Sequence, residues 1–139
     1  MEYRRFGDTL VIRMDPGEEI VAGIAYIAEK ENISLANVSG LGALNYMETG
    51  LFDTTEKKFI GHEYEEALEV TSLTGTITRQ DKEPYLHLHM SAGKAEGTVV
   101  GGHLKKAVVS ATAEIVVREI DGEVGRRFDP EIGLNIFEF

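Results

Sequence analysis

The 139-residue chain contains no cysteine, no tryptophan and only three prolines. Without cysteine it can form neither a disulfide nor a thiolate metal site, so a bound transition metal must be held by nitrogen or oxygen atoms. The longest apolar runs are too short to span a bilayer, and residues 1–8 carry charges without an apolar signal core. These absences predict a cytoplasmic protein with no membrane partner.

Basic residues are also scarce. Lysine and arginine together number 14 against 24 acidic residues, which gives a formal net charge of -10. A surface this negative repels phosphate backbones unless its bases gather on one face, so DNA is a disfavoured partner. Hydrophobic residues make up 42% of the chain, which is ordinary for a globular protein. We expect a single domain over residues 1–139.

The clearest helix signal is the segment MDPGEEIVAGIAYIAEKEN. Asp15 is the predicted N-cap, Pro16 the first helical residue and Glu18 the partner of a capping box. Apolar residues recur at helical spacing through Ala28, and Asn32 is the predicted stop.

The rest of the chain has strand character. YRRFGDTLVIR predicts two short strands around Gly7 and Asp8. After the helix, further β-rich runs are separated by turn clusters: LANVSGLGALNYMETGLFD, KKFIGHEY, ALEVTSLTGTITR, YLHLHMS, GTVVGGHL, KKAVVSATAEIVVREI and GLNIFEF. One early helix against about eight strands predicts an α+β domain with a largely antiparallel sheet, curled toward a barrel.

Three of the four histidines fall in LHLHMSAGKAEGTVVGGHL. Because side chains alternate along a strand, His87 and His89 should share one face, opposite the apolar residues between and beside them. His103 would come from a neighbouring strand, and the two glycines before it would let backbones approach closely. Three imidazoles with an open fourth position are the ligand set of catalytic zinc sites, whereas structural sites have four protein ligands.

The same residues fit a second interpretation, in which they are polar residues on a half-exposed strand face beside a glycine bulge. We favour a divalent metal held by His87, His89 and His103, because imidazole binds first-row ions readily. Zinc is the expected ion, although nickel or copper would also suit these ligands.

Other polar residues have two interpretations each. Glu114 and Glu69 are candidate catalytic residues, since a carboxylate could orient a ligand histidine or act as a general base, but strand alternation equally predicts outward-facing positions. His62 is expected to be a solvated loop residue. Arg126 and Arg127 could bind an anion, although such a pair near a terminal turn is usually solvated.

The chain resembles the PPC (plants and prokaryotes conserved) domain family. Six motifs occur in the order and approximate spacing of that family: MDPGEEIVAGI, VSGLGAL, LEVTSLTGTI, LHLHMS, VVGGHL and ATAEIVV. The resemblance implies an α/β-type PPC fold that assembles as a homotrimer. It also implies a stand-alone prokaryotic member, a type often labelled as DNA-binding.

Two plant features of the family are missing from this chain. Plant members carry an AT-hook that grips DNA, but the chain has no Arg-Gly-Arg-Pro core. They also carry Gly-Arg-Phe-Glu-Ile-Leu as a partner-binding segment, where this chain has residues 66–71 and only Glu69 is identical. Neither DNA binding nor plant-type recruitment is therefore expected from these motifs.

The family's fold is similar to that of acetolactate decarboxylase, whose zinc is held by an H-x-H pair and a third histidine. The resemblance places His87, His89 and His103 at those ligand positions. Three hypotheses for function follow: a non-enzymatic, metal-binding homotrimer with a regulatory role, a zinc-dependent lyase or hydrolase acting on a small molecule, and a nucleic-acid-binding protein. Sequence leaves open whether the protein is an enzyme, and we rank the hypotheses in that order.

Overall fold

The computed structural model describes residues 1–139 and contains one helix and nine strands. In chain order these are β1 (Glu2–Phe6), β2 (Thr9–Met14), α1 (Ile20–Lys30), β3 (Ala36–Asp53), β4 (Lys58–Tyr64), β5 (Leu68–Gln80), β6 (Glu83–Lys94), β7 (Val99–Glu119), β8 (Gly125–Asp129) and β9 (Leu134–Glu138). No helix is long and apolar enough to cross a bilayer.

Seven strands form one antiparallel sheet in the order β1-β2-β7-β6-β5-β3-β4. Strand β3 also pairs with β7, so the strands β3, β5, β6 and β7 close into a ring. The helix packs on β6 and β7, and β8 and β9 form a separate hairpin. The predicted fold, one early helix on a curled, mostly antiparallel sheet, is confirmed.

The core lies between the helix and the inner face of this sheet. Ile20, Ile24 and Ile27 of α1 are completely or almost completely buried, as their helical spacing predicts. In β6 the apolar residues Leu88 and Met90 point inward, which leaves the polar residues between them on the outer face. The predicted orientation of β6 is therefore confirmed.

The start of the helix differs from the prediction. The N-cap is Glu19, whose carboxylate accepts hydrogen bonds from the backbone N–H groups of Val21 and Ala22. Residues 17–19 cannot be helical because their backbone pairs with Val108 and Val109 of β7. The carboxylate of Glu18 does accept a hydrogen bond from the Asp15 N–H, but this contact closes the turn that precedes the N-cap Glu19.

Two strand predictions also differ from the structure. The runs GTVVGGHL and KKAVVSATAEIVVREI were expected to be separate, yet they form the continuous 21-residue strand β7. Two adjacent lysines resemble a turn in sequence, whereas the structure accommodates them in an irregular β3–β7 pairing. Strand β8 was not predicted because its Arg-Arg pair was interpreted as part of a solvated turn.

Candidate metal centre

The three candidate histidines meet on the outer face of the sheet. His87 and His89 lie two residues apart on β6 and therefore project from the same side. His103 on β7 is the direct cross-strand partner of His89, and it also pairs with Gly50 of β3. The histidine-bearing strands are thus adjacent, as predicted.

The imidazole rings form a tight triangle. Ring centroids are 5.2 Å apart for His87 and His89, 5.3 Å for His87 and His103, and 5.6 Å for His89 and His103. One ring nitrogen from each residue lies within 4.8 Å of the other two. The Nε2 atoms of His87 and His89 are only 3.3 Å apart. The geometry fits three nitrogen ligands that converge on one point.

The surroundings of His87 and His103 favour the uncharged form of these two rings. The pKa of His103 is lowered to about 4, chiefly by partial burial and also by the neighbouring His87, His89 and Lys105. Partial burial also lowers the pKa of His87, with contributions from His89 and Arg126. Since a neutral imidazole offers a free nitrogen lone pair, both side chains are ready to bind a metal at neutral pH.

Glycine makes the close meeting of strands possible. A Cβ at Gly101 would overlap the carbonyl oxygen of Met90, and a Cβ at Gly102 would overlap that of Gly50. Only residues without a side chain let β7 approach both β6 and β3 at this point. The predicted role of the Gly-Gly pair beside His103 is confirmed.

A β-bulge immediately after His103 decides which way that histidine points. In the pairing with β3, Leu104 lies opposite Thr49 and Lys106 lies opposite Glu48, so Lys105 has no partner. Leu104 and Ala107 are both buried although they are three residues apart. The extra residue therefore shifts the alternation of β7 and leaves His103 and Lys105 on the outer face.

The histidines open into a cavity of about 660 Å³. Its walls are mostly apolar and come from three parts of the chain: Leu51, Phe52 and Phe59 around the β3–β4 hairpin, Tyr85 before the histidines, and Leu134 with Asn135 from β9. The ring of Phe59 meets the edge of His103 at 6.0 Å between centroids. The terminal hairpin thus forms part of the candidate site, which the sequence did not indicate.

Arg126 holds this hairpin against the sheet and is not the solvated residue expected from its sequence position. Its guanidinium lies 4.6 Å from the ring centroid of Tyr85 and 4.2 Å from that of Phe137. Its Nε donates to Thr78 Oγ1 at 3.1 Å, and its Nη1 donates to the carbonyl of Asn135. Arg127, the other member of the pair, is exposed.

The remaining sequence candidates lie elsewhere. Glu114 is exposed on β7 and lines a different surface cavity together with Arg4 and Arg13. Glu69 is exposed on β5, opposite Gly93. Neither carboxylate lines the histidine cavity. His62 is exposed, as expected, but it lies in strand β4 opposite Thr49 and not in a loop.

The family follows from a comparison with protein-family models. Residues 1–121 match the model described as the Plants and Prokaryotes Conserved (PCC) domain. The chain therefore belongs to this family, the one called PPC above. The β8–β9 hairpin lies beyond the matched residues.

Two solved structures share the fold over nearly the whole chain. One, from Bacteroides thetaiotaomicron, is named as a candidate DNA-binding protein; it is 27% identical, with a TM-score of 0.96 over 99% of this chain and 96% of that one. The other is named as a metal-containing protein from Archaeoglobus fulgidus. It is 33% identical, with a TM-score of 0.90 over 99% of this chain and 97% of that one.

Two further likenesses are limited in scope. Acetolactate decarboxylase from Bacillus subtilis shares the fold with a TM-score of 0.61, at 11% identity over 88% of this chain and 57% of that one. The bifunctional protein GlmU of Synechococcus is 28% identical over 125 residues, which are 88% of this chain and 19% of that protein. The chain thus spans about a fifth of its curated relative.

Proposed function

We propose that the protein is a metal-binding PPC-domain protein in which His87, His89 and His103 hold one divalent ion, most readily zinc. The ion is proposed to stabilise the outer face of the sheet and to offer an open position to a ligand. The name of the Archaeoglobus fulgidus protein, which is called metal-containing, supports the proposal. Nickel and copper remain compatible with three imidazole ligands.

The separation of the two Nε2 atoms carries this proposal. Zinc–nitrogen bonds of about 2.0–2.1 Å in a tetrahedral site place two ligand nitrogens about 3.3–3.4 Å apart. The Nε2 atoms of His87 and His89 are 3.3 Å apart. His103 supplies the third nitrogen, and the cluster contains no fourth protein ligand. The fourth coordination position of the proposed ion would therefore face the cavity.

Metal analysis tests the proposal directly. Protein purified without a nickel column and dialysed against zinc should retain about one ion per chain, measured by elemental analysis. His87→Ala and His103→Ala should each abolish stoichiometric binding. His62→Ala is the matched control, because that histidine is exposed on β4 outside the cluster, and it should bind as the wild type does. Wild-type protein that binds zinc no better than the two cluster variants would contradict the proposal.

The enzymatic alternative, a zinc-dependent lyase or hydrolase, receives less support from the cavity. A metal-bound water in such enzymes is usually assisted by a nearby general base. The residues that line the cavity include no aspartate or glutamate. We therefore propose a binding role in preference to hydrolysis.

We further propose that the chain assembles as a homotrimer through the outer face of β2, β7 and β3. Val11 and Val116 are paired across β2 and β7 and are both exposed, and Leu41 lies beside them on β3. Exposed apolar residues grouped on one face of a sheet are typical of an interaction surface. DNA is a weaker candidate partner, despite the name of the Bacteroides protein, because the net charge of -10 opposes phosphate binding.

A further inference from the structure

The histidine cavity is positively charged in a strongly acidic protein. Aspartate and glutamate make up 24 of the 139 residues, yet none of them lines this cavity. The one permanently charged side chain in its lining is Lys105, which the β-bulge turns to the same face as the histidines. The local charge is therefore opposite in sign to that of the whole chain.

Lys105 in the cavity lining and Arg126, which stacks on the lining residue Tyr85, both lack a carboxylate partner. None of the ion pairs of the chain includes Lys105 or Arg126. The Nζ atom of Lys105 instead lies 4.7 Å from the ring centroid of Phe59. Arg126 lies against Tyr85, and its Nη2 atom is buried without a hydrogen-bond partner. The buried Nη2 atom of Arg126 lacks the partner that buried cations normally have, and the exposed Lys105 adds a second unpaired charge. Together they leave a positive potential that a ligand can neutralise.

The walls of the cavity limit the kind of anion that it suits. Leu51, Phe52, Phe59 and Leu134 give it a largely apolar surface, and its volume of about 660 Å³ falls in the range of small-molecule sites. An inorganic anion would leave these walls in contact with water. An anion with an apolar body would cover them and gain the free energy of apolar burial.

We propose that this cavity binds a small organic acid, whose carboxylate lies near Lys105 and the histidine cluster and whose apolar body packs against Phe59 and Leu134. The proposal rests on the proposed metal site for the second contact of the carboxylate, because the open metal position and Lys105 both face the cavity. Lys105 and Arg126 supply the attraction that comes from the chain itself.

Benzoate is a suitable probe because it combines a carboxylate with a compact apolar body. Its dissociation constant can be measured by ligand-observed NMR titration of the full chain at about 0.15 M salt, with benzyl alcohol as the uncharged analogue and inorganic phosphate as the anion without an apolar body. Benzoate should bind at least about fivefold more tightly than either of them, because each comparison removes one of the two recognition elements.

Two neighbouring lysines provide the matched variants. Lys105→Met should weaken benzoate binding at least about fivefold while zinc binding is retained. Lys106→Met is the control, because Lys106 stacks on Tyr46 and does not line the cavity, and it should leave benzoate binding unchanged. Equal binding of benzoate and benzyl alcohol, equal binding of benzoate and phosphate, or equal effects of the two lysine variants would overturn the inference.

Failure of this inference can be distinguished from failure of the metal site. Titrations are carried out on zinc-loaded protein and on protein stripped with a chelator, and zinc content is measured separately. Zinc bound at one per chain without any preference for benzoate would overturn the organic-acid inference alone. Absence of zinc would overturn the metal site, and a benzoate preference that still depends on Lys105 would then support the cationic cavity by itself.

Discussion

At the scale of single residues, the site depends on keeping imidazoles neutral in a partly buried cluster. His103 is the most affected, because burial and the nearby charges hold its pKa at about 4, against an ordinary value of 6.5. His103 is thus protonated at a lower pH in the folded protein than in the unfolded chain. A site of this kind is prepared for a metal but is sensitive to acid when the metal is absent.

This shift predicts the pH dependence of stability in metal-free protein. As the pH falls from about 6.5 toward 4, the unfolded chain takes up a proton at position 103 and the folded chain does not, so the free energy of unfolding decreases. His103→Gln removes that titration. In urea unfolding with a chelator present, the wild type should lose more stability between pH 7.5 and pH 5 than His103→Gln does. Equal losses in the two proteins would contradict the assigned shift.

At the scale of elements, the junction of β3, β6 and β7 is set by glycine. Gly102 is the critical residue, because its φ of 156° is rare for other residues and an added Cβ would overlap the backbone of Gly50. Replacing it must separate β7 from β3 at the point where His103 is held. Stability and metal binding should therefore fall together.

Gly102→Ala should lower the free energy of unfolding by about 3 kcal/mol, the upper part of the range for overpacking. It should also weaken zinc binding, because His103 is the next residue. Gly93→Ala is the control on β6, since the nearest atom to its added Cβ is 3.8 Å away, and it should be nearly neutral. Denaturant unfolding and zinc titration of both variants check the prediction. An equal loss of stability in the two would show that the junction does not need a glycine.

The sequence predicted these elements well where the pattern was local. Alternation in LHLHMS indicated that His87 and His89 share a face, and the Gly-Gly pair indicated a close approach beside His103. The contribution of Lys105 could not be predicted, because a bulge depends on the pairing with β3. The packing of Arg126 was missed because Tyr85 is distant in sequence and because Phe137 is its cross-strand partner in a hairpin whose first strand, β8, was not predicted.

At the scale of the whole molecule, three exposed apolar residues share the outer face of the sheet where β2, β7 and β3 are neighbours. The patch formed by Val11, Leu41 and Val116 lies on β2, β3 and β7, beside the exposed charged pair of Arg13 and Glu114. A patch of this kind is costly to leave in water. Self-association is the proposed way in which the protein covers it.

Val116→Glu tests the proposed interface. Wild-type protein should sediment as a species of three times the 15.3 kDa chain mass, whereas the variant should sediment as a monomer with an unchanged circular dichroism spectrum. Phe128→Glu introduces the same charge at an exposed position on β8, outside this patch, and should remain trimeric. A monomeric wild type, or a Val116→Glu variant that is still trimeric, would contradict the assignment of this face.

The unpaired Lys105 in β7 has a consequence for how this chain can change in evolution. On the C-terminal side of Lys105, odd-numbered residues such as Ala107 and Val109 point into the core, whereas on the N-terminal side the odd-numbered His103 points outward. The bulge therefore reverses the alternation of side chains along β7. After the bulge the odd-numbered residues pack in the core, and before it the odd-numbered His103 belongs to the candidate site. Deleting one residue here would direct His103 inward even though every histidine is still present. The candidate site thus depends on the number of residues in β7 as well as on the presence of the three histidines.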